Sequence, residues 1–396
     1  MKEINIIGMG MSEKTLTCEA LGLINEADIL IGAKRLINEF SKLNKPSFNA
    51  YLSNDILEII ENEDANKIAI LVSGDVGFYS AAEKLVDTLK DYNPNLITGI
   101  SSVSYFFAKC RLPWKDANLI SCHGLDTNIV SSVRRNRFTF ALTGKNIPDL
   151  QKELVKYGFA NLKVWVGENL GSEEESILET KISELEGKEF SSLTVLIIEN
   201  PDFDSRIRTG IADEEFIRGK VPMTKSEVRA VCLSKLSLSP TDIAYDIGCG
   251  TGSVTIEMAF SVYKGKVYAF DKNEDAIGLL KQNCQKFHLD NVEGICGLAP
   301  ECLKGLPVPD VAFIGGSSGN MDEIVSYLYG INSKMQFVIT AVTLENAMAG
   351  LNSLKNVGIT GDIVQVAVSK GKPIADLHML IAQNPIFIIS GSGEDE

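Results

Sequence analysis

Residues 244–252 read Ala-Tyr-Asp-Ile-Gly-Cys-Gly-Thr-Gly. A short apolar strand that runs into a glycine-rich turn and then a helix, here from Ser253, is how a nucleotide-like ligand is seated. The glycines let the backbone pass close to the ligand, and the helix N-terminus offers free N–H groups. A second strand over 265–271 ends in Asp271, 19 residues after Gly252, where a carboxylate can accept both ribose hydroxyls. The spacing is GxGxG with Asp246 two positions ahead of it, not GxGxxG. S-adenosylmethionine (SAM) has no pyrophosphate to lay on the helix. It carries an amino acid and a sulfonium, and Asp246 at the strand end suits the ammonium. The spacing therefore favours SAM, with Asp246, Gly248, Gly250, Thr251, Gly252 and Asp271 as contacts, over the dinucleotide of an NAD-dependent oxidoreductase. Cys249 fills a position where a small residue is needed for close packing.

The elements that hold this turn belong to a long chain. Its 396 residues predict two or three domains. Hydrophobic residues make up 45% and charged residues 23%, ordinary for a soluble globular protein. No apolar run approaches a membrane span, and Met1-Lys2-Glu3 leads straight into a strand without a signal-peptide pattern. The eight cysteines form no CxxC pair and read as reduced thiols of a cytoplasmic protein. With three histidines only, a zinc site or a histidine-based triad is poorly supported, and no metal is expected. A net charge of −14 argues against general nucleic-acid affinity but permits a basic pocket for an anionic small molecule.

Taken in order, residues 1–112 alternate strand and helix. The strands fall at 3–7, 28–32, 67–75 (ending in a turn) and 96–100 and the helices at 16–27, 53–62, 77–89 and from 101 onward, so a parallel sheet with helices on both faces is expected. Pro113-Trp114 breaks the rhythm. A second α/β lobe follows to 203, with strands at 117–122, 138–142, 163–168 and 193–199, helices at 129–135 and 148–157, and a polar acidic stretch at 171–176. Residues 204–212 read as a linker. Thr224 with Glu227 reads as an N-cap and capping box. A Rossmann-like domain then runs over 213–390, with later strands at 311–314, 336–340, 360–367 and 385–389. Residues 391–396 read as a disordered acidic tail.

Two sets of motifs carry a resemblance. In the C-terminal part, Asp213–Ile217 (D-E-E-F-I), Val221–Arg229 (V-P-M-T-K-S-E-V-R), Asp246–Gly252, Ala299–Glu301 (A-P-E), Ile314–Ser317 (I-G-G-S) and Val342–Glu345 (V-T-L-E) resemble the cobalamin-pathway methyltransferases that methylate carbon 15 and decarboxylate. In the N-terminal part, Leu71–Asp75 with Gly77–Ser80, Gly99–Ser104, Leu112–Trp114, Ser121–Gly124 and Gly167–Gly171 resemble the carbon-5 members of the tetrapyrrole methylases. Together the halves resemble the fused precorrin-6Y C(5,15)-methyltransferases (decarboxylating). The chain departs from the pattern at Met11-Ser12, where the family has Pro-Gly, at Val76, where it has Pro, and at Leu298, where an acid is common.

The resemblance implies a two-lobed tetrapyrrole methylase (class III methyltransferase) fold followed by a class I Rossmann-like methyltransferase. It implies two SAM sites, two methyl transfers to meso carbons of precorrin-6B or its cobalt form, and loss of the carboxylate of the ring-C acetate as carbon dioxide. A meso carbon of a reduced tetrapyrrole is already nucleophilic and a sulfonium is already a good leaving group, so placement and water exclusion are the protein's main tasks. In the C-terminal site the resemblance adds Lys272, Ala299 and Gly315 as cofactor contacts and Thr224, Gly316 and Thr340 as positioning residues. In the N-terminal site it points to Gly74, Asp75, Val76, Ser102, Val103 and Leu142. Asp75 reads either as a ligand contact or as a turn former, and Gly315-Gly316-Ser317 either as a close-approach site or as a turn. Lys225, Arg229, Lys370 and Lys372 are candidates for substrate carboxylates, with Arg134, Arg135 and Arg137 for the N-terminal module; each is alternatively a solvated charge. His123 either touches substrate or caps its loop, and His288 and His378 read as packing or surface residues. A homo-oligomer is implied. The competing readings are an RNA or tRNA methyltransferase, disfavoured by the acidic balance, and a non-catalytic binding protein.

Overall fold

The computed structural model describes residues 2–122 and 128–393, and its chain divides into two units: 1–127, 136–152 and 160–202, and 128–135, 153–159 and 203–396. His123 lies outside the described residues.

The first unit opens with β1 (Glu3–Gly8), α1 (Cys18–Glu26), β2 (Ile29–Gly32), α2 (Lys34–Asn38), β3 (Ser47–Asn49), α3 (Ser53–Asn62), β4 (Lys67–Val72), α4 (Ala82–Thr88), β5 (Asn95–Ile97) and α5 (Ser102–Lys109). The five strands form an all-parallel sheet in the order β3-β2-β4-β1-β5. Successive side chains of a strand point to opposite faces. Ile4, Ile6, Ile68 and Ile70 therefore enter one apolar cluster, and Ile7, Ala69 and Leu71 enter another. Burial on both faces is what a parallel sheet covered by helices requires.

The next elements are β6 (Asn118–Ser121), α6 (Ile129–Arg135), β7 (Phe138–Leu142), α7 (Ile147–Lys156), β8 (Lys163–Glu168), β9 (Ser176–Lys181) and β10 (Thr194–Glu199). Their sheet runs β6-β7-β10-β8-β9, and β6–β7 is its parallel pair; the β7–β10, β10–β8 and β8–β9 pairs are antiparallel. The sequence reading passes over β9. This is an edge strand with five of its six residues exposed, so no apolar alternation marks it. Helix α6 and residues 153–159 cluster with the second unit. Asp290 accepts from the amides of Val130 (2.8 Å) and Ser131 (3.1 Å), and the Asn128 side-chain amide donates to the carbonyls of Tyr263 and Gly265.

The second unit continues with α8 (Ser226–Leu236), β11 (Ile243–Ile247), α9 (Ser253–Ser261), β12 (Lys266–Asp271), α10 (Glu274–Lys286), β13 (Val292–Cys296), β14 (Val311–Ile314), α11 (Met321–Ile331), β15 (Gln336–Ala341), α12 (Leu344–Asn356), β16 (Asp362–Val366), β17 (Ser369–Ile374), β18 (Leu377–Ala382) and β19 (Ile386–Ser392). The sheet order is β13-β12-β11-β14-β15-β19-β16, parallel through β15, with β19 antiparallel to both its neighbours. Strand order reverses at β11, so the crevice beyond its carboxyl end is where an open α/β sheet binds a ligand. The expected acidic tail begins later than the sequence suggests: Gly391 and Ser392 extend β19, opposite Phe337 and Gln336.

The capping box expected at Thr224 is absent. Lys225 is the N-cap of α8 with no side-chain cap bond; the Ser226 amide donates to Asp213 (3.1 Å), and Glu227 pairs with Lys370 (2.9 Å). A carboxylate brought in from 13 residues upstream replaces the local cap. Among the described residues no helix is long and apolar enough to cross a membrane, and no group of three or more His, Cys, Asp or Glu is placed to hold a metal ion.

Candidate active sites

In the second unit the chain leaves β11 through three glycines in the left-handed region, Gly248 (φ 77°), Gly250 (φ 55°) and Gly252 (φ 77°). Each answers to a different neighbour. A Cβ on Gly248 would lie 2.7 Å from the Gly316 backbone nitrogen, one on Gly250 2.5 Å from the Pro222 carbonyl oxygen, and one on Gly252 2.4 Å from Leu280 Cδ1. The glycines thus admit close backbone and side-chain approach from three elements as well as an open face for a ligand. The amides of Gly248 and Cys249 both donate to the Phe270 carbonyl, which ties the turn to β12. Asp271 at the end of β12 accepts from the Gly250 amide (3.0 Å) and the Asn273 amide (2.9 Å). A carboxylate has further lone pairs, so these two bonds still leave room for sugar hydroxyls.

A cleft of about 310 Å³ opens here. Of the residues singled out by sequence, Gly248, Gly250, Asp271, Lys272, Ala299, Gly315, Gly316 and Thr224 line it. Asp246, Thr251, Gly252 and Thr340 do not. Thr251 is buried, Gly252 packs on Leu280, and Thr340 sits in β15 opposite Ile388. The cleft also takes in Pro222, Asn273 and Leu298. Asn273 was legible as an Asx two residues past the strand-end acid, since its side chain caps α10. Leu298, 45% exposed, supplies apolar wall where the family often has an acid.

Asp246 is fully buried beneath the turn. Its Oδ2 accepts from the Thr255 hydroxyl, and its Oδ1 has no partner among the described residues. Burial pushes its carboxyl up to about 7, and the charge of Asp271 adds to the shift. The sign for stability follows. Below the ordinary value both states hold the proton. Between about 4 and 7 only the folded state does, so stability falls as pH rises, and the loss levels off above 7. The denaturation midpoint of the second unit is therefore expected to drop between pH 4.5 and 7 and to drop less in Asp246→Asn; urea melts followed by circular dichroism check this. Burial also holds the Cys249 thiol far above its usual range, which leaves no thiolate for nucleophilic work.

The sequence-predicted cations scatter. Arg229 is 0% exposed and bonded to Asp213, Glu257 and two carbonyls, so it does not present itself to a substrate. Lys225 lies 3.6 Å from Asp213, and Lys370 pairs with Glu227. Lys370 and Lys372 stand on the β17–β18 hairpin. Because β16 runs parallel to β15, that hairpin rises from the same carboxyl edge as the cleft. Arg134 is buried over the Phe260 ring (4.6 Å), with burial and its Arg135 neighbour lowering it to about 10, and Arg135 lies over Tyr263. Arg137 is exposed beside Glu199. His288 packs on Phe159, as a structural residue would, and His378 is exposed on β18.

In the first unit the carboxyl ends of β1, β4 and β5 converge on glycine. A Cβ on Gly99 would lie 2.3 Å from the Gly74 oxygen and 2.5 Å from the Gly8 oxygen. Gly10 and Gly74 exchange backbone hydrogen bonds of 3.0 and 3.1 Å. Asp75 accepts from the amides of Gly77 (2.8 Å) and Gly99 (3.2 Å), so its carboxylate shapes the turn. Ser102 is half-buried in the first turn of α5, which Ser101 caps, and Val103 is buried. Leu142 ends β7 against the same apolar cluster, and Val76 packs on the β4 side. Where Met11-Ser12 replaces the family's Pro-Gly, Thr15 Oγ1 accepts from both their amides (2.8 and 3.0 Å) and fixes the turn by hydrogen bonds instead of by a ring.

Residues 215–391 match the precorrin methyltransferase domain family and residues 3–186 the tetrapyrrole (corrin/porphyrin) methylases. The probable cobalt-precorrin-6B C(15)-methyltransferase (decarboxylating) of Sulfurisphaera tokodaii is 42% identical over 185 residues, 46% of this chain and 96% of that protein. Its namesake in Methanocaldococcus jannaschii is 40% identical over 181 residues, 45% of this chain and 96% of that protein. Among solved structures, the precorrin-6y C5,15-methyltransferase of Geobacter metallireducens GS-15 is 36% identical, covering 47% of this chain and 97% of that one, at a TM-score of 0.45. With nearly the whole length of such relatives contained in it, and a tetrapyrrole methylase match ahead of them, the chain belongs to the family of cobalt-precorrin-6B C(15)-methyltransferases (decarboxylating).

Proposed function

We infer that the protein is a bifunctional SAM-dependent C-methyltransferase of cobalamin biosynthesis. It adds methyl groups at carbons 5 and 15 of precorrin-6B, or its cobalt form, and releases the carboxylate of the ring-C acetate as carbon dioxide, leaving a methyl group on the ring. The observation that carries this reading is the near-complete coverage of decarboxylating C(15) relatives by a chain whose other half matches tetrapyrrole methylases. The carbon-5 transfer is assigned to the first unit and the carbon-15 transfer with decarboxylation to the second, with one SAM site in each. The anionic tetrapyrrole, a homo-oligomeric state, a cytoplasmic location and the absence of nucleic-acid or membrane partners belong to the same reading.

When bound, SAM supplies an electrophilic methyl group. The second unit's residues hold and shield it. Asp271, Leu298, Ala299, Gly315 and Gly316 all line the cleft; in this reading Asp271 takes the ribose, Leu298 and Ala299 form an apolar wall, and the backbone at Gly315-Gly316 admits close approach of the substrate. Thr224 also lines the cleft, and in this reading Lys225, Lys370 and Lys372 supply positive charge for the substrate's carboxylates. A histidine base is not needed, since carbon nucleophile and leaving group are both activated before binding. Incubation of the full chain with the precorrin and SAM should yield a product heavier by two methyls and lighter by one carbon dioxide by mass spectrometry. An unchanged tetrapyrrole would overturn the assignment, and methylated RNA in a parallel incubation would favour the RNA methyltransferase alternative.

A further inference from the structure

Arg229 is the largest side chain in the protein's fully buried set, and it is charged. Its Nε donates to Glu257 Oε1 (2.9 Å) and its Nη1 to Asp213 Oδ1 (2.9 Å). Nη1 also reaches the Thr224 carbonyl and Nη2 the Ile211 carbonyl. The face of the guanidinium lies over the Phe216 ring (4.8 Å). Glu257 in turn accepts from the amides of Gly210 (2.8 Å) and Ile211 (2.9 Å), and Asp213 from that of Ser226. One fork of donors thus fastens both ends of the stretch from 210 to 226 onto α8 and α9.

That stretch is part of the cleft. Val221, Pro222 and Thr224 line it, and the Pro222 carbonyl sits against Gly250 so closely that no Cβ fits between them. Inside that stretch Ile217 is also tied to Asn283 of α10, donating its amide (2.8 Å) and accepting at its carbonyl (3.1 Å), whereas Arg218, Gly219, Lys220 and Pro222 are exposed. The covering residues from 218 to 224 therefore owe their place to the Asn283 tie on one side and the Arg229 cluster on the other. A buried arginine bonded to two carboxylates and two carbonyls is a costly device for stability alone, since apolar residues of similar volume often serve as well. Its planar fork gives directional geometry that lysine cannot reproduce.

We propose that Arg229 is a positioning residue for the second unit's methyl-donor cleft: by gathering Asp213, Glu257, Ile211 and Thr224 it fixes residues 221–224 as a cover on the glycine turn and so sets how tightly the cofactor is held there. This rests on the reading of the cleft as a SAM site. Backbone hydrogen exchange of the full chain, followed by mass spectrometry with and without S-adenosylhomocysteine, tests it, because the peptides report on this cleft alone. In the unaltered protein the ligand should slow exchange over 246–252. In Arg229→Lys, residues 218–225 should exchange at least ten-fold faster while β12 and α10 keep their protection, and the ligand concentration for half-protection of 246–252 should rise at least ten-fold. Pro222→Gly leaves the buried charges alone, loosens the same cover, and should reproduce the rise, which keeps the test decisive even where Arg229→Lys does not fold. No protection of 246–252 in the unaltered protein would overturn the SAM reading itself. Protection there with an unchanged half-protection concentration in Pro222→Gly, or in a folded Arg229→Lys, would overturn the positioning role.

Discussion

Gly248→Val is expected to abolish carbon dioxide release and to leave at most one methyl gained. The Cβ at this position would lie 2.7 Å from the nitrogen and 2.8 Å from the oxygen of Gly316, both backbone atoms, and the residue has a φ of 77° that a β-branched side chain resists. Either the β11 turn or the Gly315-Gly316 loop must move. Both line the cleft, and on the proposed reading they are the two walls between which methyl donor and acceptor meet. A displacement of about 1 Å costs roughly 100-fold in a positioned transfer, so the second unit's reaction should fall by at least about that factor. Mass spectrometry of the tetrapyrrole product reads the result directly, and a product that still loses its carboxylate at the normal rate would remove the decarboxylating step from this cleft.

The complementary change is Gly99→Val. Here the obstruction is the meeting point of three parallel strands, with the Gly74 and Gly8 carbonyl oxygens 2.3 and 2.5 Å from the would-be Cβ. Overpacking of this kind costs about 1–3 kcal/mol or more, and it would spread β1 from β4 at the edge where Gly74, Asp75 and Ser102 gather. The expected outcome is loss of the first unit's methylation together with a lowered denaturation midpoint for that unit, while the second unit melts as before. A two-phase urea melt in which neither phase shifts, with both methyls still transferred, would show that the glycine junction is dispensable.

The fold was legible wherever burial imposes a period. The strands β1, β4, β7, β8 and β14 carry apolar runs or alternation because both of their faces are covered, and helices α3 and α6 have the bounds the sequence suggests. What escaped reading lacks that constraint. β9 is an exposed edge, and β17 and β18 pair with each other and bury almost nothing, so a Pro-containing S-K-G-K-P-I segment gives no strand signal. Around the cleft, the glycines and Asp271 could be named because their chemistry is local to a turn. Arg229 could not be assigned correctly, because a lone arginine in a helix reads the same whether it faces solvent or, as here, two carboxylates drawn from positions 16 residues earlier and 28 later. Asp246 illustrates the same limit. Its place at the end of a strand suggested a contact for the cofactor's ammonium; the chain buries it beneath the turn, and one of its oxygens has no partner among the described residues.

The anchoring of α6 by Asp290 has a consequence for synthesis on the ribosome. Val130 and its acceptor are 160 residues apart, and Ile129, Val130 and Val133 are buried once the helix is docked. At about 5–20 residues per second, roughly 10–30 s pass between the emergence of the helix and that of its seat. A seven-residue helix is marginal on its own. During that interval the nascent chain presents an apolar stretch with nowhere to go, flanked by Arg134 and Arg135, which makes it a natural stop for a holding chaperone and the point where a prematurely ended chain would be recognised as unfinished.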